Sequence, residues 1–492
     1  MNARPAGTAD TLERGARRSA GVLPPDARSA TLFYVTEPLD VRVRYYGRGS
    51  DVSVYSIHPA GEAPPAAPGE LALRLEAPRD GRLTGRDVHL ANSPVFFGAL
   101  NEYARRARAR GCPDVLKVLS AGAQAKLLAQ RGMPARVGRL GATGEFAPLA
   151  SALELLQGRR AVRVAVVNIL HLAFGDTLLG LCALRELRAT LEARFDEVTL
   201  DLVQHRCNAE AEALFRRSGL IDGIHFLPAP VQLLTGYDAY LDLTGERVTA
   251  DAHWVDICMD ACGLDPRAVP ASRKRMSFPP SPAVAAELAN GLAADGGGAP
   301  VLLFHPQSST PIRTFPAERA ARFVHELLEL TGWRVASAVP LAVDHPRFLD
   351  WSAHSRTFDH FAHLVARADM VVSTDTCAYH LADAFDVPAV VLFTSMTPES
   401  RTAYYPYVEG IALQPEDNPL LGRGVSDHPA HVAFAEALWD RLDARRVVAA
   451  VEAMVARRRA ARGEGDTGPP RRRRPTVRPR RAEPPLPGTI AC

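Results

Sequence analysis

The stretch Met370-Val371-Val372-Ser373-Thr374-Asp375-Thr376-Cys377-Ala378-Tyr379-His380-Leu381-Ala382, continuing through Pro388 to Ala389-Val390-Val391-Leu392-Phe393, decides the fold. Residues 370–372 are a short β-type run followed by polar turn residues. Asp375 or Thr376 can cap a helix that buries Leu381, Ala382 and Phe385 on one face. Pro388 falls just past that helix, and residues 389–393 form a second apolar run. Strand, turn, helix, strand is the unit of a parallel α/β sheet, whose strand-to-helix turns bind anions: backbone N–H groups at the helix start favour negative charge. Thr374, Thr376 and His380 add polar groups to that turn. Asp375 admits two readings, a helix cap or a site residue.

Outward from this stretch the same alternation repeats. Before it, 301–304 predicts a strand, 316–331 a helix with an apolar stripe at Ala320, Phe323, Val324 and Leu327, 333–339 a strand and 358–367 a helix. A further series begins at Val162, with strands at 162–167, 198–203, 223–227 and 240–243 and helices at 177–191, 209–218 and 251–262. Strands alternating with helices imply two parallel, doubly wound sheets. A Pro/Ala/Gly-rich segment at 279–300 separates them, and 432–462 predicts a terminal helical region.

Ahead of these lies a different pattern. Residues 31–36, 41–46, 52–57 and 71–75 are short β-type runs separated by turn residues, which predicts a small antiparallel sheet. Helices are expected near 95–110, 113–130 and 147–157. Residues 1–28 and 463–492 are expected to be disordered; the second segment is rich in Arg and Pro and is suited to touching an anionic membrane surface or nucleic acid, or to standing as a solvated tail. The expected division is therefore 1–28, an α+β module at 29–160, α/β domains at 161–285 and 296–462, and a tail at 463–492.

Composition narrows the class. The chain has 492 residues, 47% hydrophobic and 23% charged, with a net charge of +3. This is ordinary globular composition without a bias toward nucleic acid. The seven cysteines are scattered and form no disulfide framework. Cys258 and Cys262 sit one helical turn apart but lack a partner pair at zinc spacing, so buried packing is the expected role. No signal-peptide pattern or membrane-length apolar run is present. A cytoplasmic protein, at most peripheral to the inner membrane, is expected. Lysine is scarce, only Lys117, Lys126 and Lys274 among 58 Lys and Arg.

Two facing α/β domains form a cleft between the carboxyl ends of their strands. Four stretches point into it. Gly175-Asp176-Thr177 follows the first strand of the first domain; Gly175 permits close backbone approach and Asp176 is a carboxylate able to take a proton, or a helix cap. His305 to Thr310, with Ser308 and Ser309, follows the first strand of the second domain. Arg313-Thr314-Phe315-Pro316 places an arginine before a helix, suited to gripping phosphate oxygens. The fourth is the opening stretch.

In these motifs the chain resembles glycosyltransferase family nine, the ADP-heptose:lipopolysaccharide heptosyltransferases of GT-B fold. The matching residues are Gly175-Asp176-Thr177-Leu178-Leu179 with Ala183-Leu184-Arg185, then Arg313-Thr314-Phe315-Pro316, then Asp375-Thr376-Cys377-Ala378-Tyr379-His380-Leu381-Ala382 with Pro388. The resemblance covers about residues 160–455. It implies inverting, metal-independent transfer of a heptose from a nucleotide diphosphate, with ADP-heptose as donor and a lipopolysaccharide core sugar or a protein hydroxyl as acceptor. Asp176 would be the base. Arg313 stands where the family has a pyrophosphate-binding lysine. Thr376 and His380 would hold the diphosphate, Asp375 would orient that loop or touch the donor sugar, and Asp344 would lie near the nucleotide ribose. Gly175 and Thr177 would face the acceptor. Ser373 and Cys377 replace family glycines. The module before residue 160 resembles that of the autotransporter heptosyltransferases; those carry a late cysteine cluster for iron, whereas this chain has only Cys492 after Cys377. A non-catalytic nucleotide-sugar-binding scaffold is the competing reading.

Overall fold

The computed structural model describes residues 31–45, 53–91, 93–112, 114–120, 135–137, 149, 153–154, 156–168, 173–206, 209–243, 252–292, 298–415, 417–424 and 426–463. The expected disordered segment 1–28 and, beyond Gly463, the basic tail with Cys492 lie outside the described residues.

The leading module contains β1 (Thr31–Val35), β2 (Leu39–Tyr45), β3 (Ser53–Pro59), β4 (Leu71–Leu75), β5 (His89–Ala91), α1 (Pro94–Ala109) and β6 (Leu116–Val118). One antiparallel sheet was expected. Two form: β3-β2-β4, and a second in which β1 lies between β5 and β6. Where a helix was expected from 113, residues 116–118 pair as a strand with β1; residues 121–130 of that expected helix, and most of the one expected at 147–157, lie outside the described residues. Helix α1 starts where Ser93 accepts from the Phe96 N–H, with proline in the first turn, a favoured start signal. Phe33, Phe96, Phe97 and Tyr55 form its aromatic core.

The first parallel sheet contains β7 (Ala135–Val137), β8 (Ala161–Val167), β9 (Glu197–His205), β10 (Gly223–Leu227) and β12 (Ala239–Asp242), in the order β10-β9-β8-β12-β7. Its helices are α2 (Phe174–Glu192), α3 (Ala209–Arg217) and α4 (Trp254–Ala261). Strand β7 lies upstream of the boundary expected at residue 160 yet pairs with β12. The side-chain alternation of β8 explains the architecture. Val162, Val164 and Val166 join the core beneath α2. Ala165 and Val167, on the opposite face, meet Leu32, Val88 and Leu90 of the leading module. That module is thus the second covering layer of the sheet, and β11 (Ala229–Pro230) ties it in by pairing with β5.

After α5 (Pro282–Gly291) the second domain contains β13 (Val301–His305), α6 (Ala317–Leu330), β14 (Arg334–Ser337), β15 (Phe348–Asp350), α7 (Phe358–Arg367), β16 (Met370–Thr374), α8 (Cys377–Ala384), β17 (Ala389–Phe393), α9 (Pro398–Thr402), β18 (Val408–Ala412), α10 (Pro429–Trp439) and α11 (Ala444–Ala461). The sheet is parallel, in the order β15-β14-β13-β16-β17-β18. This is the doubly wound order with its reversal between β13 and β16, where a crevice opens at the carboxyl ends. The α6 stripe, Ala320, Phe323, Val324 and Leu327, packs with Val447 and Val451 of α11 on one face; α7 and α8 cover the other. The two α/β domains make the expected GT-B pair.

Candidate active site

The two sheets present their reversal points to one another, and two contacts seal the junction. Phe174 stacks on Phe358 with ring centroids 3.8 Å apart. A Cβ placed on Gly175 would stand 3.4 Å from Cδ2 of His380 and 3.9 Å from Cα of Cys377. The starts of α2 and α8, one from each domain, therefore meet, with Gly175 against the His380 imidazole.

Helix α2 begins at Phe174, so Gly175 and Asp176 belong to its first turn and not to the preceding loop as expected. Asp176 is half-buried there, at the end of a helix that favours a carboxylate. Thr177, expected on the acceptor side, is instead fully buried, and its hydroxyl donates to the Ala173 carbonyl 3.0 Å away. A threonine in a helical turn satisfies its hydroxyl on the backbone behind it.

The second-domain half is built around Asp375. Its carboxylate, 3% exposed, accepts from Arg313 Nη1 at 3.0 Å and from the Tyr379 hydroxyl at 3.3 Å. Its backbone carbonyl accepts from Arg313 Nη1 and from the Ser308 hydroxyl, both at 3.0 Å. Arg313 Nη2 donates to the Ser309 hydroxyl at 3.2 Å. Ser308, Ser309, Arg313 and Asp375 thus form one group across the β13–β16 crevice. Burial raises the Asp375 carboxyl, but Arg313 and then Arg401 outweigh it and hold the group below its ordinary range. Thr376, not Asp375, occupies the cap position of α8, and its side chain makes no capping bond. Asp344 lies apart, exposed in the loop between β14 and β15, with no hydrogen bond or ion pair to the group among the described residues.

His380 is buried; its Nδ1 lies 2.7 Å from the Tyr405 hydroxyl. Burial drives its pKa down to about 3, so at neutral pH it supplies no positive charge to a phosphate. Burial likewise takes His253, at the start of α4, and His305, at the end of β13, to about 4. These imidazoles protonate in the unfolded chain near pH 6.5 but resist it when folded, so unfolding takes up protons below that pH and stability falls as acid is added. Asp383 acts in the opposite sense: burial raises its carboxyl to about 6, so the folded chain binds one proton more there. The expected net loss is about 3 kcal/mol per pH unit between pH 6 and 4, two protons at about 1.4 kcal/mol each. Denaturant unfolding at pH 7, 6 and 5 measures it; an unchanged midpoint would show that the folded histidines titrate normally.

Arg401 had no signal in the motifs. It lies on α9, past the carboxyl end of β17, is 4% exposed, and places its guanidinium 3.8 Å from the ring centroid of Trp254 in the first domain. Burial works against its charge, while Asp375 most, and also Asp176, support it. Three N–H donors at this junction, Arg401 Nη1, Arg313 Nε and Trp254 Nε1, are buried with no hydrogen-bond partner among the described residues. Cys258 and Cys262 are buried in the core under α2.

Residues 353–429, which span α7 to the start of α10, match the model of glycosyltransferase family 9 (heptosyltransferase). No curated protein matches the chain. Among solved structures it is similar to a family 9 glycosyltransferase from Veillonella parvula (13% identity, 60% of this chain and 97% of that one, TM-score 0.43). It is also similar to the ADP-heptose lipopolysaccharide heptosyltransferase II of E. coli (15%, 60% and 98%, TM-score 0.42). A third is the iron-containing dodecameric glycosyltransferase TibC of enterotoxigenic E. coli (12%, 63% and 82%, TM-score 0.40). Through the segment that carries Asp375, Thr376 and His380, the chain resembles glycosyltransferase family 9, the heptosyltransferases.

Proposed function

We propose that this protein is an inverting glycosyltransferase. It takes a heptose or related sugar from a nucleoside diphosphate donor of ADP-heptose type and places it on a hydroxyl of a lipopolysaccharide core sugar or of a protein. The observation that carries this reading is the meeting of the two helix starts, with Gly175 against His380 and Cys377. It puts a carboxylate of one domain beside the arginine-lined crevice of the other. Asp176 accepts the proton of the acceptor hydroxyl as that oxygen bonds to the anomeric carbon. The bond from this carbon to the diphosphate breaks, and its electron pair stays on the leaving oxygen. The start of α8 and Arg313 hold the diphosphate, and Asp375 fixes the position of Arg313. Proximity and charge stabilisation then supply the acceleration, and both demands fall on side chains.

Incubation of the purified protein with a panel of nucleoside diphosphate heptoses and candidate acceptors tests this, read as the mass of the glycosylated product. Hydrolysis-free recovery of every donor and acceptor would refute the proposal. Arg313→Ala is expected to weaken nucleoside diphosphate binding by about 2–3 kcal/mol, the scale of a lost charge-assisted hydrogen bond. Calorimetric titration reads it, and equal affinity would remove Arg313 from the donor site.

A further inference from the structure

We infer that Arg401 is a donor-binding residue that receives the diphosphate at the junction of the two domains, together with the indole N–H of Trp254. This rests on the transferase reading above. The site is rich in donors and poor in acceptors: Arg401 Nη1, Arg313 Nε and Trp254 Nε1 are all buried and lack a hydrogen-bond partner among the described residues. Such groups are costly to leave unmatched, and a ligand with several anionic oxygens satisfies them together.

The charges agree. Arg313 pairs with Asp375, His380 is neutral, and Arg401 brings a second cation to a site whose one deeply buried carboxylate is already engaged. The flat guanidinium, held against Trp254 at 3.8 Å, has its plane fixed before a ligand arrives, which suits paired contacts to phosphate oxygens. Its position past β17, next to β16, the strand that leads into Asp375, places it on the leaving-group side of the crevice. Because its stacking partner belongs to the other domain, an anion bound here touches both. These N–H groups are covered while the domains meet, so the diphosphate enters with the domains parted and is enclosed as they close.

The test compares nucleoside diphosphates with the matching monophosphates by calorimetry on the full chain, over adenosine, guanosine and uridine nucleotides without acceptor. The unaltered protein is expected to prefer one diphosphate over its monophosphate by about 30-fold or more, a contact scale typical of charge-assisted bonds. Arg401→Gln should reduce that preference to about threefold while monophosphate affinity stays within about twofold, and Arg401→Lys should retain an intermediate preference. A full preference in both variants overturns the assignment and leaves the transferase reading standing. An equal loss for diphosphate and monophosphate would mean that Arg401 only supports the fold, and also overturns it. No diphosphate preference in the unaltered protein for any nucleoside overturns both this inference and the transferase reading.

Discussion

Asp176→Asn is expected to lower turnover by about 10²–10⁴-fold, the contribution of a positioned general base, while nucleoside diphosphate affinity changes by less than about twofold. The amide keeps the size of the carboxylate at the first turn of α2 but cannot take the acceptor proton. Asp176 itself makes none of the proposed diphosphate contacts, so donor binding survives. Single-turnover transfer and calorimetry on the same preparation separate the two effects. Full turnover in the variant would assign the base elsewhere. A protein that binds nucleotide sugars without transferring them would show no difference in either measurement, which makes this substitution the one that divides enzyme from scaffold.

Asp375→Asn is expected to cost about 3–5 kcal/mol of stability, the range for breaking a buried ion pair from one side. Asp375 is 3% exposed and its carboxylate faces Arg313 at 3.0 Å; its loss leaves the half-buried Arg313 guanidinium without its paired carboxylate and removes the main nearby counter-charge of the buried Arg401. The pH dependence distinguishes this effect from that of the histidines. Asp375 has a depressed pKa when folded, so its stabilisation is whole from neutral pH down to the ordinary carboxyl value, is lost progressively below it, and is gone once pH has fallen through the lower folded value. The acid loss between pH 6 and 4 therefore belongs to His253, His305 and His380, less the offset from Asp383, and Asp375→Asn should shift the whole stability profile down without changing its slope there. A loss below about 1 kcal/mol would mean that Arg313 swings out to water when its partner is removed.

Much of the second domain was legible because its strands are short apolar runs separated by strong helix and turn signals. The helix at 358–367 and the strand–helix–strand of 370–393 appear where patterning places them. Strands β15 and β18 were not legible: Phe348–Asp350 and Val408–Ala412 lack a clean alternation and exist because a neighbouring strand offers hydrogen bonds. In the site, Asp176 and Arg313 could be picked out from their places after successive strands. The burial of the Thr177 hydroxyl and of His380 could not, since both depend on which face of a helix meets the other domain. Arg401 follows an ordinary Pro-Glu-Ser helix start, and only tertiary packing reveals that Trp254, far away in the chain, covers it. The role of the leading module was hidden for a related reason. A strand such as β8, apolar but for Arg163, announces that both faces are buried, but not that Leu32, Val88 and Leu90 do the burying.

That last pairing bears on how the gene could be trimmed. Residues 161–463 look self-sufficient when read as two nucleotide-type folds, yet Ala165, Val167, Val203 and Tyr240 share a single apolar cluster with the leading module. A shortened chain beginning near 160 would carry an oily wall facing water and would lose an edge strand, Ala135–Val137, from the same sheet. On this wall the leading module takes the place that helices hold on an ordinary doubly wound sheet, so the shortened chain is expected to aggregate where the full chain stays dispersed.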